Sequence, residues 1–493
     1  MKLPFLDLLV FLAYLIGMML FGCSFMLKKD ARSSAAFTSG SGHLPAWAIG
    51  MSIFATFVSS ISFLGLPAKA YAGNWNAFVF SLSIPVASLV AVKFFVPLYR
   101  SLNSISAYHY LELRFGAWAA VYASACYLLT QLARIGTILY LLALPMHALL
   151  GWSVPLIITI TALSVLVYSV AGGIQAVIWT DAVQGILLIA GTVLCLALLI
   201  WGNPPGAFSE AWHAQKFSLG SFSVWDWQHE TFWVCLLYGI FINLQNYGID
   251  QNYVQRYLTA KNTREAVQST LFGSLLYIPV SFLFFAMGTA LYGYYRVHPL
   301  PEAVAKTPDQ ILPYFIVNGL PQGVTGLLIA AIFAAGMSTI STSINSGATI
   351  LFTDYYRRFR TSAASECDQL RFLRWATVAM TFAGWGCAMA LLRMEKGALD
   401  AWWMLASIFS GGMLGLFLLG YCSRRATRGP AMIATVAGIL VIVWIVAGTN
   451  RGALVTLHPN LAIVMGTLVI FLVGFGLATW AQRKTGSLRR DNR

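Results

Sequence analysis

The sequence is short of charge: only 10% of its 493 residues are Asp, Glu, Lys or Arg, while 58% are hydrophobic. Soluble globular domains carry roughly a quarter charged residues, so this chain cannot stay dispersed in water and belongs in a bilayer. It also lacks the residue-by-residue alternation over many segments that a membrane β-barrel needs. Its seven cysteines (Cys23, Cys126, Cys195, Cys235, Cys367, Cys387 and Cys422) show no paired spacing, which argues against a disulfide framework or a metal cluster. All seven histidines lie at the ends of apolar runs or between them, which removes most chemistries that need imidazoles inside the bundle. With no buried nucleophile–histidine pair and no phosphate-binding glycine loop, the chain does not read as an enzyme. Acidic residues are scarce too, 17 against 31 Lys and Arg, for a net charge of +14. The basic residues sit in short loops, so the excess reports topology and not nucleic-acid binding.

Thirteen apolar runs are present, near 5–26, 45–71, 77–98, 118–149, 153–171, 177–201, 232–249, 268–294, 322–351, 372–392, 399–421, 430–448 and 460–482. A helix needs about 20 such residues to cross the hydrocarbon. The first run is too long for a signal peptide and has no small-residue cleavage site, so it reads as a span. With the N-terminus outside, 22 of the 31 Lys and Arg, Arg256 among them, fall on the cytoplasmic side or its flanks. That bias predicts an outside N-terminus and an inside C-terminus. No soluble domain is expected within 1–493, and Trp75, Trp152, Trp201 and Trp402 are expected to anchor at the interfaces.

Polar groups at membrane depth are the informative ones, because each needs a cavity or a partner. Arg134 lies midway along the fourth span and cannot shed its proton. Its anion is either Asp181 or Asp250 on another helix, or one that arrives with a substrate. The second span carries Thr56, Ser59, Ser60 and Ser62 ahead of Gly65 and Pro67, which predicts an unwound segment with free carbonyls beside a cavity. Asn243, Gln245, Asn246, Tyr247 and Gly248 interrupt the seventh span in the same way. Two discontinuous spans five helices apart predict inverted repeats over 41–202 and 228–422, after an extra helix and loop (1–40) and before two C-terminal helices and a basic tail (423–493). In the ninth span Ser338, Ser341 and Thr342 share one helical face. Such a face suits a monovalent hard cation, or alternatively a close helix-packing seam. Asp181 falls in the first turns of the sixth span, as an acid favoured by the helix N-terminus, a cation ligand or a proton carrier.

Three stretches carry a family resemblance: Gly172-Gly173-Ile174-Gln175-Ala176-Val177-Ile178-Trp179-Thr180-Asp181 with Gln184, Ala107-Tyr108-His109-Tyr110-Leu111-Glu112-Leu113-Arg114-Phe115, and Ala331 to Tyr355. In that order they resemble signatures of the sodium:solute symporter family. Within it, Ser52-Ile53-Phe54-Ala55-Thr56, Ser59-Ser60-Ile61 and Pro67-Ala68-Lys69-Ala70-Tyr71 look most like the bacterial sodium/sialic acid symporters. The resemblance implies an all-α, LeuT-like polytopic fold in a bacterial inner membrane. It implies one or two coupling sodium ions, no organic cofactor, a small-molecule substrate, surrounding lipid and a functional monomer with no obligatory protein partner. One sodium site would use the carbonyls of Ala55, Val58 and Ala335 with the hydroxyls of Ser338 and Thr339. A second would use Asp181, Ser338, Ser341 and Thr342. Substrate contacts would be Ser59, Ser62, Gln245 and Arg134, the last matching the arginine that holds the sialate carboxylate. Phe57 and Ser81 stand where that branch has a threonine and a glutamine. The implied activity is sodium-coupled import of a carboxylate-bearing solute, sialic acid or a related acidic sugar. The alternatives are sodium symport of another organic solute, or proton coupling through Asp181.

Overall fold

Backbone N–H and C=O groups find no water in hydrocarbon, so apolar runs must satisfy them within each segment. A computed structural model describes residues 3–27, 33–42, 44–102, 104–359, 365–394, 412–450 and 457–490. Among these the runs are helices, and the nearest approach to a strand is one isolated bridge between Leu44 and Ala260. In chain order they are α1 (Phe5–Ser24), α2 (Ser34–Ser39), α3 (Ala46–Phe57), α4 (Ser60–Ala72), α5 (Asn76–Leu102), α6 (His109–Phe115), α7 (Ala117–Leu150), α8 (Val154–Gly202) and α9 (Ala207–His213). There follow α10 (Phe232–Ile249), α11 (Gln251–Thr259), α12 (Thr263–Tyr294), α13 (Ile311–Asn318), α14 (Val324–Phe359), α15 (Glu366–Leu391), α16 (Gly412–Cys422), α17 (Arg428–Asn450) and α18 (Leu461–Arg490).

Nine helices among the described residues are long and apolar enough to cross a membrane, ten if α3 and α4 form one bent span. Thirteen is not reached by that measure, for three reasons. The fifth and sixth runs are joined in α8, whose 49 residues would extend roughly 74 Å at 1.5 Å each. Gly173 (φ 53°, ψ −145°) breaks α8 inside that length. The tenth run forms α15, whose charged first turns lower its hydropathy, and most of the eleventh lies outside the described residues.

Gly173 also explains half of the glycine pair read from the sequence. A Cβ there would lie 2.6 Å from the Phe37 carbonyl oxygen and 2.7 Å from the Phe37 ring, so only glycine permits α2 to seat on the kink. The core is built around α14, the most enclosed of the apolar helices, packed by α1, α3, α7, α8 and α15. α12 runs along both α3 and α4, while α17 and α18 pack chiefly on each other.

Contacts sort the connections into two ends. At one, Arg100 donates to the carbonyls of Ala260 (2.9 Å) and Lys261, Arg114 to those of Gly420 and Ser423, Ser34 to Glu366, and Arg358 pairs with Glu112. At the other, Trp75 N–H donates to Ser218 O, Glu210 pairs with Arg296, and the Lys216 ammonium donates to Tyr71 O at 2.7 Å. Burial in this cap pulls the Lys216 pKa below the usual lysine value. Trp201 is 92% exposed, as an anchor would be. Trp75 is not an anchor: it is 6% exposed and donates its indole N–H to Thr289, because the cap closes over it. Trp152 is half-buried against Phe11, and Trp402 lies outside the described residues.

Candidate functional site

The second span breaks where its hydroxyls predicted. α3 ends at Phe57, Val58 and Ser59 are extended, and α4 departs at 57°. Ser59 starts α4 as its N-cap, with Ser62 returning a reciprocal hydrogen bond. Losing the i→i+4 ladder frees carbonyls at the end of α3, and Ala55 O, Thr56 O and Val58 O find side-chain donors. Ser338 Oγ donates to Ala55 O (2.8 Å) and Thr339 Oγ1 to Val58 O (3.3 Å). The same two hydroxyls also reach Ala335 O, at 3.2 and 3.1 Å. All five residues expected at the first cation site are therefore together. Each hydroxyl can turn its proton away and offer a lone pair instead, so the cluster can present five oxygens to a monovalent cation without a formal charge.

Arg134 lies against the same break, half-buried, its Nη2 donating to Thr56 O at 3.2 Å. Among the described residues no carboxylate forms an ion pair with it. Of its two possible partners, Asp250 sits within its electrostatic reach, and Asp181 belongs to a different arginine.

That arginine is Arg256, a buried ion-pair partner and not a solvated loop charge. Counted from the sequence with the cytoplasmic flank, it is 0% exposed and bonds Asp181 Oδ2 at 2.8 Å, itself 0% exposed. Ser52 Oγ donates to the same carboxylate oxygen at 2.6 Å. Thr342 Oγ1 accepts from Arg256 Nη2 (2.6 Å) and lies 3.1 Å from Thr56 Oγ1, so it too is engaged. Ser341 Oγ donates to Ser338 O at 2.9 Å. The four residues expected at a second cation site are thus neighbours, with one carboxylate oxygen held by a guanidinium. The other, Asp181 Oδ1, is buried and has no hydrogen-bond partner, which leaves an acceptor that a cation fits.

The seventh span is broken, but not at Asn243–Gly248. α10 runs helically through that stretch because Asn243 hands its amide to Ser83 Oγ (2.9 Å) and Phe80 O. The break falls at Asp250, which is extended and N-caps α11 through Asn252 N–H. Its freed carbonyls meet tyrosines: Tyr257 OH donates to Tyr247 O (2.7 Å) and Tyr99 OH to Gly248 O (2.9 Å). The two breaks therefore differ in chemistry. One is lined by small hydroxyls that a cation can recruit, the other by bulky phenols.

The remaining substrate candidates gather around Tyr277. Its hydroxyl sits among Ser62, Ser81 and Ser281, and Ser81 is itself 2.7 Å from Ser281 Oγ. Phe57 stacks on Tyr247 (5.5 Å between centroids, 10°) and meets Tyr277 edge-on at 4.5 Å. Phe57 thus belongs to an aromatic wall and has no donor to offer. Gln245 is buried on α10 with its Oε1 unpartnered, and among the described residues no hydrogen bond joins it to Arg134 or the serines. A cavity of about 690 Å³ opens beyond α4, lined by Ile61, Leu64 and Gly65, by Leu141 and Pro145 of α7, and by Asp309 and Tyr314.

Comparison with known proteins gives the same picture from another direction. The sequence profile of the sodium:solute symporter family matches residues 37–438. The chain is 33% identical to the sodium/sialic acid symporter NanT of Aliivibrio fischeri over 477 residues, covering 95% of this chain and 92% of that one. It is 33% identical to the sodium/sialic acid symporter SiaT of Proteus mirabilis over 443 residues, 89% of each. The solved structure of a Na+-coupled sialic acid symporter, substrate-bound and outward-open, superimposes with a TM-score of 0.89 at 31% identity, covering 97% of this chain and 98% of that one. A match spanning most of the chain, with the broken span and its facing helix inside it, goes beyond a shared architecture: the chain belongs to the sodium:solute symporter family.

Proposed function

We propose that the chain is a sodium-coupled symporter that imports an acidic sugar of the N-acetylneuraminate kind across a bacterial inner membrane. The observation that carries this reading is Arg134, a guanidinium at the break of the second span with no ion-pair partner among the described residues. A charge at that depth is retained where something anionic comes to meet it, and a carboxylate matches the guanidinium fork. The likeness to two sodium/sialic acid symporters supports the sugar.

The first sodium is assigned to Ala55, Val58, Ala335, Ser338 and Thr339, whose oxygens already converge. The second is assigned to the free oxygen of Asp181 with Ser338, Ser341 and Thr342. Ser59, Ser62 and the Tyr277 hydroxyl are assigned to the sugar's polar groups, with Phe57 as an apolar wall. Proton coupling through Asp181 is disfavoured by the oxygen cluster at the break of α3, which a proton carrier does not need. Sodium entering from the outside ties α3 to α14 and sets the break; the substrate carboxylate then engages Arg134. Rocking of one helix group against the other exposes both to the cytoplasm, where low sodium favours release. The positive-inside bias places the end carrying α11, the connections 102–116 and 355–366 and the C-terminus on the cytoplasmic side, and the cavity beside α4 and the N-terminus on the outer side, with thirteen spans made of an extra N-terminal helix, two five-helix repeats and two C-terminal helices.

The test is uptake of radiolabelled N-acetylneuraminate by the purified chain in proteoliposomes, with and without an inward sodium gradient. Truncating a charged group in such a contact costs about 2–5 kcal/mol. Arg134→Ala is therefore expected to cut uptake at low substrate by roughly 30-fold or more. Folded wild-type protein that accumulates no labelled sugar under either condition sinks the sialate assignment. Uptake indifferent to sodium sinks the coupling.

A further inference from the structure

Neither cation nor solute binding accounts for what Arg256 does beyond Asp181. Its single guanidinium bonds three other helices: Nε to Ser52 Oγ on α3 at 2.7 Å, Nη2 to Asp181 on α8 at 2.8 Å, and Nη2 to Thr342 Oγ1 on α14 at 2.6 Å. Nη1 is returned to its own helix at Asn252 O, 2.6 Å away, so the side chain has one fixed direction. α11 is nine residues long and buried along nearly its whole length, although it presents Gln251, Asn252, Gln255 and Arg256 in quick succession.

Each of those polar residues is hooked to a different neighbour. Gln251 clasps Ala107 N–H and Ile105 O, both at 2.8 Å. Asn252 is held by Tyr127 and Gln131 of α7 and by Ser346 of α14. Gln255 donates to Thr38 O on α2 (2.6 Å) and to Asn345 and Thr349 on α14. α11 is therefore a plug at the end of the molecule where α2, the 105–115 segment and the last turns of α14 meet.

Opening that end requires α3 and α11, one half of each broken span, to part from α8 and α14. Arg256 is the charged tie across that seam. Separating it from Asp181 would leave two opposite charges unpaired where both are shielded from water, the costly way to break a buried pair. The neutral hydrogen bonds of Gln251, Asn252 and Gln255 carry no such penalty.

We propose that Arg256 is a positioning residue that latches the inner end of the transporter shut, working in parallel with the sodium-bridged contact between α3 and α14. Two ties in parallel mean that removing one leaves closure dependent on the other. Without Arg256 the inner end opens when sodium is absent and recloses when sodium is supplied. With Arg256 present the closed inner end predominates in both conditions and opens only transiently for release.

The experiment uses the full chain with its native cysteines replaced and one reporter, Thr38→Cys, at a position now buried beneath Gln255. Labelling by a membrane-impermeant maleimide is followed from the cytoplasmic face of inside-out vesicles, in potassium and in sodium. In potassium, Arg256→Gln is expected to label about tenfold faster than the parent, a typical size for a conformational coupling; sodium should bring the rate back towards the parent's. Since Arg256→Gln leaves Asp181 unpaired and can misfold, the double variant Asp181→Asn/Arg256→Gln, which buries no charge at this seam, is run beside it and decides the question if the single variant is lost. Parental labelling rates in the variants would overturn the latch, as would fast labelling of Arg256→Gln that sodium does not slow in a chain whose uptake is sodium-dependent, the mark of general loosening. Only the sodium arm rests on the proposed coupling. The potassium comparison needs neither sodium nor sugar, so a failed substrate assignment leaves the latch standing.

Discussion

Arg134 and Arg256 are both guanidinium groups enclosed by the helix bundle, and they are compensated in opposite ways. Arg256 carries its counter-ion with it in Asp181, packed so tightly that neither touches solvent. Arg134 has a carbonyl at 3.2 Å, the Tyr253 phenol and the more distant field of Asp250, but no carboxylate bonded to it among the described residues, which leaves its fork for a visiting anion. A third charge is spent on structure alone: Asp7 of α1 is buried and accepts from Gly323 and Gly326 N–H at 2.7 and 2.8 Å. It thereby caps the start of α14, where a helix N-terminus favours an anion. At this scale the hydroxyl cluster makes a direct prediction. Ser338→Ala or Thr339→Ala removes one neutral oxygen, worth about 1 kcal/mol. Each is expected to raise the sodium concentration for half-maximal uptake roughly fivefold while leaving the sugar KM at saturating sodium nearly unchanged. Sodium titrations of uptake in proteoliposomes provide the check; an unchanged half-saturation in both variants removes these residues from the site.

Elements are fixed by how each helix stops. α3 ends with Val58 N–H on Phe54 O and leaves Ala55 O and Val58 O to hydroxyls of α14, whereas α4 begins on the Ser59–Ser62 box and α11 on Asp250. The hydroxyl run therefore announced the first break correctly. Asn243–Gly248 misled because polar side chains in a helix need partners, not unwinding, and Ser83 and Phe80 supply them. The signal for the true break was the next stretch, Asp250-Gln251-Asn252 with Gln255-Arg256, an acidic cap followed by polar groups one turn apart. Gly173 gives the prediction that belongs here. Gly173→Ala puts a methyl within 2.6–2.8 Å of Phe37 and forces a positive φ on a residue with a Cβ. Overpacking of that kind costs about 1–3 kcal/mol, so the thermal midpoint of the purified protein in detergent is expected to fall by several degrees. A midpoint equal to wild type would mean that α2 does not seat on the kink in the folded protein.

For the whole molecule the two ends differ in kind. One carries the vestibule of about 690 Å³ beside α4; the other is filled by α11 and its hydrogen bonds. That asymmetry matches a transporter open on one side and sealed on the other, and two sodium ions moving with one monoanion would carry one net positive charge. A potential of 100 mV, negative inside, is worth roughly 2.3 kcal/mol per charge. It should therefore raise the limiting accumulation ratio by about 50-fold at equal sodium gradient. Imposing the potential with potassium and valinomycin tests this, and an accumulation ratio that does not respond would reduce the stoichiometry to one sodium.

The first cation cluster was implied only by the family resemblance; the sequence by itself determined the medium, the helical class and the break of the second span. These follow from composition and local spacing, which act over a few turns of one helix. Only the tertiary structure decided which arginine takes Asp181, that Phe57 joins an aromatic wall while Ser81 pairs with Ser281, and that α11 is a buried plug. Arg256 and Asp181 are 75 residues apart, and a guanidinium reads as a solvated loop charge until the helices that surround it are in place. Partner choice among buried charges depends on distances across the bundle, and no periodicity within one span encodes them.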